Sequence, residues 1–392
     1  MGNILQSLFS NGVLVDVLAF IIVVSIIVVF HEFGHFILAK ILGVKVENFS
    51  LGFGPKLISK KIGETEYAIS ALPLGGYVKL MGEDPEEELS PEDEKRSFSK
   101  LSPFKKFLII FFGPMLNFIL ALVILTIIFS AGKPVLKSVV GKVIKGDPAV
   151  AAGLKKGDVI TSVNGKKLWK WTSLSSYIQK YGKHTIVLGV KRPINVINNN
   201  KTVNNKAVKE SSAANKINYS KTFFIHVKPK LISGFNIFKQ KIKRYIIGIY
   251  PSNVTVNQSR NIFSAFYSGL KEVWFIIYIT IFSVYMLIAG KIPSTDLGGP
   301  IMIAQLSGRA ASMGLSQFFY FIAVISVNIG LVNLFPIPAL DGGHILFSFV
   351  EMVRRRPLSP KFQENAAKIG FALLIMLLLF VSYNDIMRNI KT

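Results

Sequence analysis

The chain of 392 residues contains no cysteine and only five histidines. Without cysteine, disulfide bonds and thiolate metal sites are excluded, so any metal ion must be bound by histidine and carboxylate side chains. Acidic residues are also scarce, because 22 Asp and Glu stand against 46 Lys and Arg, for a formal charge of +24. The basic residues lie mostly between apolar runs rather than in one patch interleaved with aromatics. The charge therefore indicates membrane orientation and contact with the lipid bilayer, and not nucleic-acid binding.

Hydrophobic residues make up 51% of the sequence and the mean hydropathy is positive at +0.46, a combination too apolar for a soluble protein of this length. Four runs are apolar enough to cross a bilayer, which takes about 20 helical residues. These runs are 13–35, 107–130, 318–335 and 369–381. The first run lacks a basic flank and a small-residue cleavage site, so we interpret it as a retained helix and not a signal peptide. The sequence predicts a polytopic α-helical membrane protein with about four transmembrane helices.

Two other segments have a different character. Residues 46–106 combine alternating apolar residues with many glycines, which predicts one or two β-hairpins followed by a solvated acidic loop. Residues 134–231 are polar, with short apolar runs between turn signals, and we expect a separate β-rich domain there. An Asn-rich stretch at 194–214 is typical of an insertion in one loop of that domain.

The distribution of Lys and Arg predicts the orientation in the membrane. No basic residue precedes Gly12, whereas residues 40–106 and the run Arg354-Arg355-Arg356 are basic, so these two segments are expected to be cytoplasmic. The chain termini and the 134–231 domain then lie outside. A further apolar run, 273–289, would invert the later helices if it crossed completely. We therefore predict that it lies on, or partly in, the outer membrane surface.

The first apolar run ends in His31-Glu32-Phe33-Gly34-His35. On a helix the two histidines are four residues apart and share one face, so both rings can bind one metal ion. Glu32 lies beside that face, where it can take a proton from a metal-activated water and return it to the leaving amine. The alternative is a set of polar residues that caps the helix at the interface, but ionisable residues are costly at this position and are usually functional.

A catalytic zinc ion needs a third protein ligand. Asp341 is the main candidate, because it follows an apolar run at the same predicted side of the membrane and comes after two helix-breaking prolines. The alternative is an ordinary aspartate at a helix end. His344 is a rival ligand, although we favour a supporting role for it. Asn328 and Asn333 have two open interpretations, interhelical hydrogen bonding or substrate binding.

These motifs resemble those of the site-2 protease family, in its bacterial branch that regulates sigma-E-type stress responses. The matching segments are His31-Glu32-Phe33-Gly34-His35, Gly52-Phe53-Gly54, Pro73-Leu74-Gly75-Gly76-Tyr77, Gly113-Pro114-x-x-Asn117-Phe118, and Asn333 through Gly343. The resemblance implies that His31, His35 and Asp341 bind Zn²⁺ and that Glu32 activates water. It also implies that Asn328 and Asn333 engage the substrate. The expected location is the bacterial cytoplasmic membrane, with the active site near its cytoplasmic side.

The resemblance also implies that residues 134–231 form a PDZ domain, of a type that captures strands or C-termini at a sheet edge. The sequence has room for one such domain, where the best-known members have two. In similar proteins this domain excludes substrates that another protease has not yet trimmed. The expected organisation is helix 1–45, hairpin and acidic loop 46–106, helix 107–133, PDZ domain 134–231, outer linker and interfacial helix 232–317, helix 318–346, and basic loop and last helix 347–392.

Three classes of function remain open from the sequence. The first is an intramembrane zinc metalloprotease that cuts single-span membrane proteins, for example an anti-sigma factor or signal-peptide remnants. The second is a catalytically inactive membrane scaffold that carries a PDZ domain. The third is a transporter, which the absence of paired inverted repeats disfavours.

Overall fold

The structure is a computed structural model that describes residues 12–83, 89–194, 219–236 and 240–391. These residues form two compact units. A helical unit contains the chain up to Ala131 and from Arg260 onward, and a β-rich unit contains Gly132 to Ser259. The Asn-rich stretch predicted as an insertion lies almost entirely outside the described residues.

The described helices are α1 (Val13–Ile41), α2 (Pro91–Glu94), α3 (Pro103–Ala131), α4 (Pro148–Ala151), α5 (Trp171–Tyr181), α6 (Ile262–Ile288), α7 (Pro300–Ser312), α8 (Leu315–Asn333), α9 (Asp341–Arg354) and α10 (Pro360–Lys391). The described strands are β1 (Val46–Ile62), β2 (Thr65–Leu80), β3 (Lys133–Leu136), β4 (Val140–Val143), β5 (Val159–Val163), β6 (Lys166–Lys167), β7 (Ile186–Lys191), β8 (Phe223–Val227), β9 (Lys230–Phe235), β10 (Lys241–Ile246), β11 (Ile249–Pro251) and β12 (Thr255–Gln258).

Five helices in the described part of the chain, α1, α3, α6, α8 and α10, are long and apolar enough to cross a membrane. Three of them contain a predicted run, and α8 covers the run 318–335 except for its last two residues, so the prediction of a polytopic helical membrane protein is confirmed. The fifth, α6, contains most of 273–289, which we expected to form an interfacial helix. It packs within the bundle, because Val273 and Ile276 share a core with Val23 and Ile27 of α1.

Two hydrogen bonds give the direction of α6. The hydroxyl of Tyr320 in α8 donates to Oε1 of Glu272 at 2.7 Å, and Oγ1 of Thr280 donates to Oδ1 of Asn328 at 2.7 Å. Both bonds join residues 48 positions apart, so α6 and α8 run parallel. The chain between them must therefore return to the side where α6 begins. If α6 crosses the membrane, this return leaves the parity of the other four helices unchanged.

Close backbone contact holds α1 against α3. A Cβ atom on Gly34 would lie 2.4 Å from the carbonyl oxygen of Phe112, far inside van der Waals contact. In a membrane the hydrophobic effect contributes little to the association of helices, so close van der Waals packing at small residues is important. The glycine thus fixes how closely the HExxH segment of α1 approaches α3.

Strands β1 and β2 form one long, bent hairpin. Residues 48–51 pair with 76–79 on one side and with 66–69 on the other, while 56–62 pair with the start of β2. The order of the sheet is therefore 56–62, 65–70, 46–51 and 76–80. Within the described residues no further strand pairs with the outer edge of 76–80.

The turn of this hairpin is held by ion pairs that predict sensitivity to acid. Glu64 accepts hydrogen bonds from Arg96 at 2.8 Å and from Lys40 at 2.7 Å. Both partners lower the pKa of Glu64, from 4.5 to about 2, and the hydrogen bond from Arg96 has the larger effect. Because the folded pKa is depressed, the ion pairs stabilise the fold above the unfolded pKa, and this stability is lost as the pH falls from about 4.5 towards 2.

We expect the thermal unfolding midpoint to fall less between about pH 6 and pH 3 in Glu64→Gln than in the wild type. Scanning fluorimetry measures this, and equal falls would contradict the assignment.

The β-rich unit is centred on a four-stranded antiparallel sheet with the order β6-β5-β7-β8. Leu174 and Ile178 of α5 pack against its core. The unit ends at Ser259 and not at residue 231 as expected, because β11 and β12 return to pair with β4 and β3. These strands carry few apolar residues and follow the Asn-rich stretch, so their long-range pairing left no local signal in the sequence.

A cavity of about 440 Å³ lies between α5 and β10 in this unit. The side-chain amide of Gln179 in α5 donates to the carbonyl oxygen of Tyr245 at 2.7 Å, and it accepts from the Tyr245 N–H at 3.0 Å. A neighbouring strand would make the same pair of bonds. Gln179 thus closes the edge of β10 that faces the cavity.

Candidate metal centre

Three side chains predicted as metal ligands meet in the helical unit. His31 and His35 lie one turn apart on α1, and Asp341 is the first residue of α9. The Nε2 atoms of the histidines are 3.3 Å apart, and Nε2 of His31 lies 3.0 Å from Oδ2 of Asp341. Nε2 of His35 lies 3.7 Å from Oδ1 of Asp341. Together they border a cavity of about 400 Å³.

These distances fit a tetrahedral zinc site. With ligand bonds of about 2.0–2.1 Å, neighbouring ligand atoms of a tetrahedral zinc ion are about 3.3 Å apart. The two Nε2 atoms are 3.3 Å apart, which matches that value, and one oxygen of Asp341 lies 3.0 Å from His31 while the other lies 3.7 Å from His35. The buried Oδ2 of Asp341 accepts no hydrogen bond, although Nε2 of His31 is close, so the two atoms converge without an N–H directed along the contact. Such a set of convergent acceptors is suited to a cation.

Helix α3 orients His35. Its Nδ1 lies 3.0 Å from the carbonyl oxygen of Ile109, which can only accept, so the proton is on Nδ1 and Nε2 is free to bind metal. The ring rests directly on Gly113, where a Cβ atom would lie 2.3 Å from Nε2. A backbone carbonyl and a missing side chain therefore fix this ligand.

Asn117 of α3 supports His31. The amide nitrogen of Asn117 lies 3.3 Å from Nδ1 of His31, and its Oδ1 is buried without a partner. The oxygen and nitrogen of an amide are assigned from their hydrogen-bond partners. When the two atoms of the Asn117 amide exchange places, Oδ1 accepts the proton on Nδ1 of His31 and is no longer unpartnered. Nε2 of His31 is then free to bind the metal.

Glu32 lies next to this cluster, at the edge strand of the hairpin. The backbone N–H of Val78 donates to the Glu32 carboxylate. A Cβ atom at Gly76 would lie 2.7 Å from the carbonyl oxygen of Ser50, so glycine is what lets this strand approach its neighbour in the hairpin so closely. Two residues further on, the N–H of Leu80 donates to Oε2 of Glu83 at 3.2 Å. The N–H groups of Val78 and Leu80 are thus bound to carboxylates at the cavity.

The remaining predicted residues separate into two groups. Asn333 and His344 line the cavity, and Nδ2 of Asn333 lies 3.3 Å from Nε2 of His31. His344 is not among the three clustered ligands. Asn328 does not line the cavity, because its amide accepts from Thr280 and donates to the carbonyl oxygen of Val324 at 2.8 Å. The geometry of Asn328 is that of the interhelical interpretation.

Sequence reasoning had assigned no role to Asn117 or to the Ile109 carbonyl. For Asn117 a signal was present, because a buried amide within an apolar run needs a partner. For Ile109 there was none, since every residue carries a backbone carbonyl. Pro114 is a further sequence signal for a site on this helix. Proline lacks an N–H, so the carbonyl of Ile110 has no helical partner there, and Ile110 lines the cavity.

A His₂Asp cluster with an adjacent glutamate, enclosed by apolar helices, defines a metal-dependent hydrolase of the membrane. The chain belongs to Peptidase family M50, whose family model matches residues 19–377. It is therefore a zinc metalloprotease of the site-2 type, which carries out intramembrane proteolysis.

Relatives of this chain cover nearly its whole length. An inferred zinc metalloprotease of Campylobacter jejuni is 34% identical over 376 residues, covering 96% of this chain and 94% of its own. A second inferred zinc metalloprotease, of Clostridium acetobutylicum, is 32% identical and covers 97% and 98% of the two chains. The regulator of sigma-W protease RasP of Bacillus subtilis is 29% identical, with 95% and 98% covered.

Proposed function

We propose that this protein cleaves single-span membrane proteins in or near their transmembrane segments, in the cytoplasmic membrane of a bacterium. The observation that carries the proposal is the convergence of His31, His35 and Asp341 beside Glu32 in a cavity enclosed by apolar helices. The name of the Bacillus subtilis relative refers to a sigma factor, which supports an anti-sigma factor as one substrate class.

In this proposal His31, His35 and Asp341 hold zinc. A bound zinc ion makes a water molecule more acidic and polarises the substrate carbonyl. Glu32 takes the proton of the attacking water and returns it to the amine that leaves. Asn333, whose amide nitrogen points at the same cluster, donates to the carbonyl oxygen as negative charge develops on it. Asn117 and the Ile109 carbonyl keep the two imidazoles in the required tautomer.

The substrate must be extended to be cut, because a helix protects its own carbonyl groups and lipid excludes water. We propose that the unwound segment adds as a strand to the outer edge of residues 76–80. The pairing of that strand on one side only supports this, and so does its position beside Glu32. The incoming strand replaces the carboxylates that now accept from Val78 and Leu80.

The topology proposed from the basic loops places the active site near the cytoplasmic face. The proposed outer location of the β-rich unit follows from the same parity, because long domains cross with little regard to charge. We propose that α6 enters the bilayer from the outer side beside α8, which its apolar composition and its core residues support.

We propose that the β-rich unit acts as a PDZ domain. Its support is the cavity between α5 and the edge of β10, with Gln179 on that edge where a peptide strand would pair. A peptide strand that displaces Gln179 forms the two hydrogen bonds that Gln179 now makes with the N–H and the carbonyl oxygen of Tyr245. In the proposed cycle this unit admits substrates that another protease has already shortened outside.

Metal removal tests the proposed reaction. We expect purified full-length protein to contain one zinc ion per chain and to cleave a tagged single-span membrane protein in detergent. A chelator should abolish cleavage, and added Zn²⁺ should restore it, with zinc measured by plasma mass spectrometry. Bound zinc without cleavage of any tested single-span protein would favour the scaffold, and cleavage that survives complete zinc loss would refute the assignment.

A further inference from the structure

A basic cleft of about 530 Å³ lies where α3 begins and α9 ends, away from the metal centre. Four cationic side chains and one carboxylate line it: Lys100, Lys106, Arg355, Arg356 and Glu351. Helix α9 ends at Arg354, and the next residue, Arg355, adopts the left-handed conformation with φ 54°. The chain turns there, so that two consecutive arginines border the first turn of α3.

The cationic side chains in this cleft outnumber the carboxylates that neutralise them. The ammonium of Lys100 binds Glu94 at 2.5 Å, and Nζ of Lys106 lies 3.8 Å from Oε2 of Glu351. Glu351 is buried, and its Oε1 already accepts from the N–H of Leu358 at 2.9 Å. Neither Arg355 nor Arg356 has an ion-pair partner among the residues that the structure describes. Two guanidinium groups and a poorly paired ammonium therefore remain for an external anion.

The surroundings of the cleft favour one kind of anion. It lies at the end of a helix that is long and apolar enough to cross the membrane, the level at which lipid phosphates occur. Apolar groups share the lining, including Met352 and the ring of Phe104, whose side chain is 56% exposed. A phosphate flanked by acyl chains suits such a mixed surface, whereas a nucleic acid or an acidic peptide needs no apolar wall.

We propose that this cleft binds the phosphate of an anionic phospholipid. The lipid bridges the start of α3 to the end of α9. These two helices also contribute to the metal centre, since α3 supplies Asn117 and the Ile109 carbonyl, and α9 begins with Asp341. The site is independent of the proposed reaction, because lipid binding requires neither zinc nor catalysis.

The chain offers a matched pair of variants for the test. Arg355→Gln with Arg356→Gln removes the two guanidinium charges from the lining. Lys105→Gln with Arg354→Gln removes two charges from neighbouring positions that do not line the cleft. The full-length protein in a neutral detergent is titrated with dioctanoyl phosphatidylglycerol, and bound lipid is counted by native mass spectrometry. Dioctanoyl phosphatidylcholine, inorganic phosphate and an acidic peptide are the comparison ligands.

We expect saturable binding of phosphatidylglycerol that weakens about tenfold or more in the lining pair and less than about twofold in the flanking pair. Equal weakening in both pairs would show a general surface potential and overturn the proposal, as would no binding to the wild type. Competition by inorganic phosphate or the acidic peptide at concentrations below that of the lipid would also overturn it. Zinc content and unfolding midpoint check folding, and Arg356→Gln against Arg354→Gln repeats the comparison if a double variant fails to fold.

Discussion

Glu32→Gln is expected to lower the rate of substrate cleavage by about 10²–10⁴-fold while zinc remains bound. The amide is close to the carboxylate in size and still accepts the N–H of Val78, so the packing of α1 on the edge strand is retained. What it loses is the capacity to take a proton from water. The ligand atoms of His31, His35 and Asp341 are untouched.

Glu83→Gln is the matched control for this variant. Glu83 is a second carboxylate at the same cavity, and its contact with the Leu80 N–H is one that glutamine can also make. We expect its rate to remain within about tenfold of the wild type, because it is not placed to serve as the base. Cleavage of a tagged single-span protein in membranes is followed by immunoblot, and zinc by plasma mass spectrometry. Full activity in Glu32→Gln would refute its role as base.

Gly113→Ala is expected to remove the zinc ion and with it the activity. The new methyl group would lie 2.3 Å from Nε2 of His35, in the space that the metal-binding nitrogen occupies. The ring cannot move freely, because its Nδ1 is bound to the Ile109 carbonyl and α1 is held against α3 at Gly34. We expect a loss of zinc affinity of at least about 10–100-fold, the range found when a group that orients a metal ligand is lost.

Gly269→Ala provides the comparison in the same bundle. A Cβ atom at Gly269 would meet the side chains of Thr126 and Leu122 at 3.2 and 3.3 Å, which need only a small adjustment. We expect this variant to keep its zinc content and its activity. If Gly113→Ala bound zinc as tightly as Gly269→Ala does, the packing of His35 on α3 would not determine the metal site.

The sequence predicted the parts of this protein that carry strong local patterns. The four apolar runs became helices, and the HExxH run lies on one of them, because both signals depend on spacing within a single segment. Asp341 was predicted as the third ligand because it follows an apolar run and two helix-breaking prolines. The edge strand beside Glu32 was anticipated only as part of a glycine-rich hairpin, since its pairing with residues 46–51 joins positions about 25 to 34 residues apart.

Other features depended on contacts that no local pattern encodes. The position of α6 in the bundle follows from its polar bonds to Tyr320 and Asn328, whereas its hydropathy alone suited a surface helix equally well. The same bonds give Asn328 the contacts of the interhelical interpretation, and its role in substrate binding stays a prediction. The end of the β-rich unit was missed because β11 and β12 return over more than a hundred residues to pair with β4 and β3.

The carboxylates on the edge strand have a consequence for which peptides the enzyme accepts. With Glu32 on Val78 and Glu83 on Leu80, the resting enzyme offers few free donors to a passing chain. If the substrate adds to this strand as proposed, an arriving peptide exchanges hydrogen bonds instead of adding them, so weak or short matches gain little. In that proposal the same exchange detaches Glu32 from the backbone at the moment when a carbonyl comes within reach. Occupancy of the strand and readiness of the base are then one event, and water is not activated efficiently in an empty site.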